Sequence, residues 1–219
     1  MQAAMTISRK RRKRDMQEKG LIIVLSGPAG SGKSTVRKLV DSAQHFDFSV
    51  SATTRELRPG EVDGVDYVKY SVEYFKKLIA EGNLLEYTEY CGNYYGTPKL
   101  PVFESIEKGN DIILEIEVEG AKQIKKNYPD AVLIMLLPPD FKTQESRLRG
   151  RGTETEDKII KRLTRTAYEL DDIHIYDYVI YNYDNGTQAS AEDFLAIVRA
   201  EKCARRRLGN IKDNYYHNK

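Results

Sequence analysis

The chain has 219 residues, of which 40% are hydrophobic and 31% charged, with a formal net charge of +2. That is the balance of an ordinary globular protein, long enough for one large domain or a core with insertions. No apolar stretch approaches the ~20 residues needed to span a membrane. The first residues lack the apolar segment of a secretory signal, and Cys91 and Cys203 lie far apart without metal-ligand spacing. Reduced thiols in a cytoplasmic protein are therefore expected. His45, His174 and His217 do not cluster with Cys or carboxylates, so no protein-held zinc site is expected.

Residues 1–19 carry seven basic and two acidic side chains, with six basics consecutive from Arg9 to Arg14. The remaining 200 residues are net acidic. A basic run of this kind suits nucleic acid or an anionic surface, but a solvated tail is the preferred reading. An upstream start codon is the other, because Met16 stands just before the first strand. The fold is expected to begin near residue 20.

Leu21–Ser26 is an apolar strand that runs directly into Gly27-Pro28-Ala29-Gly30-Ser31-Gly32-Lys33-Ser34-Thr35. This is G-x-x-x-x-G-K-[ST], the phosphate-cradling P-loop, in the strand-to-helix context that the motif requires. Its glycines let successive N–H groups converge on phosphate oxygens, and the following helix (about 32–42) adds its positive end. Lys33 can reach the outer phosphates and Ser34 can hold Mg²⁺. The loop identifies a nucleoside triphosphate site and leaves the phosphoryl acceptor open.

Further on, Phe46–Ser51 reads as a strand. Tyr67–Tyr70, Leu84–Tyr90 and Tyr94–Thr97 read as short strands, with a helix over Val72–Ala80, forming an inserted α+β subdomain between residues 53 and 97. The core then resumes with strand Asp111–Val118, helix Glu119–Asn127, strand Ala131–Leu137 and helix Phe141–Arg149. Helix Glu156–Leu170, strand Tyr178–Asn182 and helix Ala189–Arg206 complete it. Alternating strands and helices predict an α/β fold, a parallel sheet flanked by helices. The expected organisation is a core of residues 20–52 and 98–207, a lid within about 147–162, and a tail over 208–219.

Three constellations carry chemistry. Arg55 and Arg58 flank a turn at Pro59-Gly60, where two planar guanidinium forks can face one anion, with Tyr67 and Tyr95 as hydroxyl donors. In Ile112–Val118 the alternation puts Glu115 and Glu117 on one strand face, about 7 Å apart. An acidic group at the end of a strand beside the P-loop strand helps position Mg²⁺, often through water. Arg147, Arg151 and Arg162 surround the polar stretch 150–156, which suits a lid that brings cations to the migrating phosphoryl group and excludes water.

Together these motifs resemble the guanylate kinase family, whose members transfer a phosphoryl group from ATP to GMP. The resemblance runs from about residue 20 to about residue 200. It rests on GPAGSGKST, SATTRELRPGEVDGVDY, LLEYTEYCGNYYGT, LEIEVEG and GRGTETE in that order. It implies a phosphate clamp for GMP made of Arg55, Arg58, Tyr67 and Tyr95. Ser51 and Thr97 would address guanine O6, and Glu86 and Glu117 would accept from guanine N1–H and the 2-amino group. Arg147, Arg151 and Arg162 would be the donor-phosphate and transition-state arginines, with Asn182 near the ATP base. Mg²⁺ would accompany ATP, held by Ser34 and by Glu115 through water. The acidic strand often reads D-I-D in the family, whereas Glu115 and Glu117 stand here, a variant that points to a bacterial type. Thr97 stands where many members have Ser, which keeps the hydroxyl.

The predicted function is ATP-dependent phosphorylation of GMP or dGMP. Two rivals share the resemblance, a non-catalytic binding module and a related kinase with another acceptor. The intact Gly27, Gly32, Lys33 and Ser34 argue against the first. Ser51, Glu86, Thr97 and Glu117 argue against the second.

Overall fold

The computed structural model describes residues 19–90, 92–150, 152 and 155–217. The N-terminal basic run, Cys91, and Arg151, Thr153 and Glu154 of the predicted lid lie outside the described residues. The first half of the chain forms β1 (Ile22–Ser26), α1 (Lys33–Ala43), β2 (Asp47–Phe48), β3 (Ala52–Thr53), β4 (Val68–Lys69), α2 (Val72–Ala80), β5 (Leu84–Tyr90) and β6 (Asn93–Pro98). There follow α3 (Lys99–Glu107), β7 (Ile112–Glu115), α4 (Val118–Asn127), β8 (Val132–Leu137), α5 (Phe141–Gly150), α6 (Glu156–Asp171), β9 (Tyr178–Tyr181), α7 (Thr187–Cys203) and a short α8 (Ile211–His217). None of the helices is long and apolar enough to cross a membrane, among the described residues.

Five parallel strands form the central sheet, in the order β2-β7-β1-β8-β9. Along β1, Ile23 and Leu25 face one core with Val36 and Val40 of α1 and Phe194 of α7. Ile22 and Val24 face the opposite core with Val102 of α3 and Ala121 and Ile124 of α4. Helices on both faces explain why the strands read as continuous apolar runs. All six residues of β8 are buried. At ~1.5–3 kcal/mol per large side chain, as an upper bound, β8 and β1 anchor the sheet. Parallel strands put their C-terminal ends on one edge, so the loop after β1 and the end of β7 lie side by side, with Leu25 paired to Glu115.

The smaller sheet has the order β4-β3-β6-β5. Phe75 of α2 fills its core with Ala52 and Leu84 and stacks on Tyr94. This sheet is tied to α4 by Gln123, whose amide accepts from the Tyr87 N–H and donates to the Tyr87 carbonyl.

Three local expectations change. Of Phe46–Ser51 only β2 is strand, pairing with β7 in the large sheet, while β3 begins just beyond it and joins the small one. α3 was not foreseen; its first turn contains Pro101, which reads as a breaker but is tolerated where no N–H bond is due. The strand expected to reach Val118 stops at Glu115, and Glu117 is the extended N-cap of α4. The Ile116 carbonyl leaves the sheet ladder to accept from the Ser26 hydroxyl at 2.7 Å. Glu115 and Glu117 therefore do not share one strand face, and Ile112, Ile113 and Leu114 are all buried.

Candidate active site

The loop after β1 bends through Gly30 (φ 85°) and Gly32 (φ 92°), in the left-handed region that favours glycine. A Cβ on Gly32 would also lie 2.3 Å from the Asn182 amide nitrogen, so glycine is required there twice over. Gly32 caps α1 without a side-chain hydrogen bond, and the first turn of α1 carries no acidic residue. The N-terminal N–H groups of α1 thus keep their positive end uncompensated by side chains, which suits an anion. The Lys33 ammonium folds back over the loop, donating to the Gly27 carbonyl and, at 3.4 Å, to that of Pro28. Ser34 and Thr35 are exposed beside it, while Pro28 and Ser31 are buried and Ala29 is half-buried.

Two side chains that sequence reasoning missed or assigned otherwise support this loop. Gln144 of α5, almost fully buried, donates to the Ala29 carbonyl and to the Thr166 hydroxyl, each at 2.8 Å. Asn182, also buried, donates to the Ser31 carbonyl at 2.8 Å and accepts from Ser190, so both ends of its amide serve the scaffold. Arg147 reaches the same wall, donating to the Asn182 carbonyl at 2.8 Å and to Asp184 at 2.7 Å. An open pocket lies there between Gly30, Thr35, Arg147, Asn182 and Tyr183. Arg162 lies exposed on α6.

Across the edge of the sheet, Arg55 places both terminal nitrogens in use. Its Nη2 meets both carboxylate oxygens of Glu61, at 2.9 and 3.1 Å, and Nη1 donates to the Glu56 carbonyl. Glu61 also accepts from the Arg58 backbone N–H at 2.8 Å. That N–H and the Arg55 guanidinium outweigh burial and hold the Glu61 carboxyl below the usual carboxylate range. The Arg55 guanidinium lies 5.4 Å from the Tyr67 ring centre, and Tyr67 meets Tyr95 edge to face. Burial pushes the Tyr67 phenol up, so it is a hydrogen-bond donor at neutral pH. Arg55, Tyr67 and Tyr95 are therefore one cluster, with the Arg58 backbone joined to it through Glu61. Glu61 follows Pro59-Gly60 in the turn, a signal too local to announce an ion pair.

Glu86 on β5 is only 5% exposed, and the Thr97 hydroxyl donates to its Oε1 at 2.6 Å. Burial raises its carboxyl to about 7, against the lowering effect of Thr97, and the Glu117 charge adds to the rise. Oε2 faces α4 so closely that a Cβ on Gly120 would lie 2.6 Å from it. Gly120 is thus part of the site. Ser51 is half-buried just before β3, its carbonyl accepting from the Val68 N–H. Glu115 is exposed at the end of β7, 3.8 Å from the Arg37 Nε. Glu117 is held by Arg165.

A cation bound at this edge would find hard oxygen donors: the Ser34 hydroxyl and the Glu115 carboxylate. Among the described residues no group of three or more His, Cys, Asp or Glu is placed to hold a metal alone. This donor set fits Mg²⁺, which keeps several waters and relies on substrate phosphates.

The sequence profile described as Guanylate kinase matches residues 19–196. The chain is 50% identical over 188 residues to the guanylate kinase of Streptococcus thermophilus strain CNRZ 1066, covering 85% of this chain and 89% of that protein. The same figures hold for the guanylate kinase of strain ATCC BAA-250 / LMG 18311. Among solved structures, the guanylate kinase from Anaplasma phagocytophilum is 32% identical with a TM-score of 0.70, covering 90% of this chain and 93% of that one.

Proposed function

This chain belongs to the guanylate kinase family, and from that premise we propose that it phosphorylates GMP and dGMP with Mg²⁺–ATP by direct in-line transfer. The observation that carries the acceptor assignment is the buried carboxylate of Glu86, hydrogen-bonded by Thr97 and backed by Gly120. Guanine presents N1–H and a 2-amino group to such acceptors, whereas adenine has neither and would leave them unpaired. Glu117 is the second acceptor, and the Ser51 and Thr97 hydroxyl groups address O6.

On the donor side, the loop Gly27–Thr35 and Lys33 bind the phosphates of ATP, and the pocket beside Asn182 and Tyr183 takes its base. Ser34, with Glu115 through water, would hold Mg²⁺. When bound, Mg²⁺ supplies neutralising charge at the donor phosphates. On the acceptor side, Arg55, Arg58, Tyr67 and Tyr95 bind the GMP phosphate. Glu61 gathers both arginines through one carboxylate and yields the Arg55 fork to a phosphate oxygen. Arg147, Arg151 and Arg162 stabilise charge on the migrating group. No protein general base is needed, because the GMP phosphate is already an anionic nucleophile at neutral pH. The reading includes a cytoplasmic setting for the enzyme.

With ATP and Mg²⁺, ADP formation should require GMP, since transfer rather than hydrolysis is the reaction. A chelator should abolish turnover and added Mg²⁺ restore it. ADP release at the full rate without GMP would identify a hydrolase instead.

A further inference from the structure

Resting on the acceptor reading above, we propose that Arg165 is a positioning residue for the nucleobase subsite, holding the Glu117 carboxylate in place for guanine. Arg165 lies on α6, one turn beyond Arg162. Its Nη2 donates to Glu117 Oε2 at 2.5 Å, on the N-cap of α4. Its Nε donates to Glu169 Oε1 at 3.1 Å, and its guanidinium lies 5.2 Å from the ring centre of Tyr90, at the end of β5. One side chain therefore joins α6, α4 and the small sheet.

A merely structural role does not account for this arrangement. The i,i+4 bond to Glu169 would suffice to dress the helix, and exposed ion pairs contribute only ~0–1 kcal/mol. The Glu117 side chain is 61% exposed, so without a partner it would sample several rotamers. Arg165 removes that freedom by engaging Oε2. The bond to Arg165 is made through Oε2, which leaves the other carboxylate oxygen to meet a donor on the base. Arg165 also supplies positive charge beside a subsite that otherwise concentrates the carboxylates of Glu117 and Glu86. Its planar fork serves Glu117 and Glu169 at once while its face meets Tyr90, which lysine cannot reproduce.

The test is steady-state kinetics on Arg165→Ala, Arg165→Lys, Glu117→Gln and the Arg165→Ala/Glu117→Gln double variant, with melting curves as a check on folding. Arg165→Ala should raise KM for GMP about tenfold, the equivalent of ~1.4 kcal/mol. It should leave KM for ATP unchanged and kcat within about threefold, and Arg165→Lys should recover part of the loss. In the Glu117→Gln background, removing Arg165 should change KM for GMP by less than about twofold, because the two act as one unit. An unchanged KM for GMP in Arg165→Ala overturns the proposal. So does a tenfold effect that persists without the Glu117 charge, or a parallel rise in KM for ATP. A parent enzyme that does not use GMP removes the acceptor reading itself, which is a distinct result.

Discussion

Replacing Lys33 with methionine is expected to lower kcat by roughly 10²–10³-fold, the cost of removing one preorganised group that stabilises transition-state charge. Methionine keeps the length and apolar stem of the side chain, so the loss isolates the ammonium. That ammonium lies against the Gly27 and Pro28 carbonyls, at the mouth of the loop. Arg147 has its own place on the pocket wall, beside Asp184 and the Asn182 carbonyl, and does not replace the ammonium at the loop. The first turn of α1 offers backbone N–H groups but no second cation. Turnover by Lys33→Met within about threefold of the parent would remove the donor assignment.

Glu86→Gln should have two effects of opposite sign. The amide keeps the Thr97 hydrogen bond through its oxygen but turns an N–H₂ towards the base, where guanine also offers N–H. A donor facing a donor in a buried site should cost roughly 10²–10³-fold in kcat/KM for GMP. The protein itself should become more stable at alkaline pH. The Glu86 carboxyl lies at about 7 in the fold against an ordinary 4.5, because burial disfavours its charge. The folded state therefore binds the extra proton between those values. The stability tied to that proton is fully present below pH 4.5 and is lost as pH rises through 7. The full loss is on the order of 3 kcal/mol, from about 1.4 kcal/mol per unit. Melting of Glu86→Gln should match the parent at pH 4 and exceed it at pH 8. In the parent, KM for GMP should fall as pH rises through 7, because the ionised carboxylate is the better acceptor, and Glu86→Gln should lose that component. A Glu86→Gln variant with parental kcat/KM for GMP, or one destabilised at pH 8, would count against this account of the site.

Much of the fold was legible because the large sheet is buried on both faces. Apolar runs such as Ile22–Leu25 and Val132–Leu137 have one physical explanation, and glycine and proline punctuate them. The loop Gly27–Thr35 was legible because phosphate binding imposes glycine, lysine and hydroxyl at set spacings. Alternation misled at Glu115–Val118, since period two also arises where a strand ends and a helix N-cap follows. α3 was missed because Lys99–Glu107 carries only a weak amphipathic period. The supporting contacts were out of reach for a different reason. Gln144 to Ala29 and Arg165 to Glu117 join positions 115 and 48 residues apart. No local pattern records such pairs, and a polar residue on a helix looks the same in sequence whether it faces water or a partner. Gly120 was visible only as the last letter of a motif, and its physical reason, the nearness of Glu86 Oε2, needed the packing of α4 against β5.

The acceptor profile tests the central claim most directly. With Mg²⁺–ATP saturating, ADP formation should be measured with GMP, dGMP, AMP, CMP and UMP as acceptors. GMP and dGMP should support turnover, and the other three should give no more than about 1% of that rate, as expected when a buried hydrogen-bonding site meets a base it cannot satisfy. Comparable rates with AMP or a pyrimidine nucleotide would contradict the assignment of Glu86 and Glu117 to guanine.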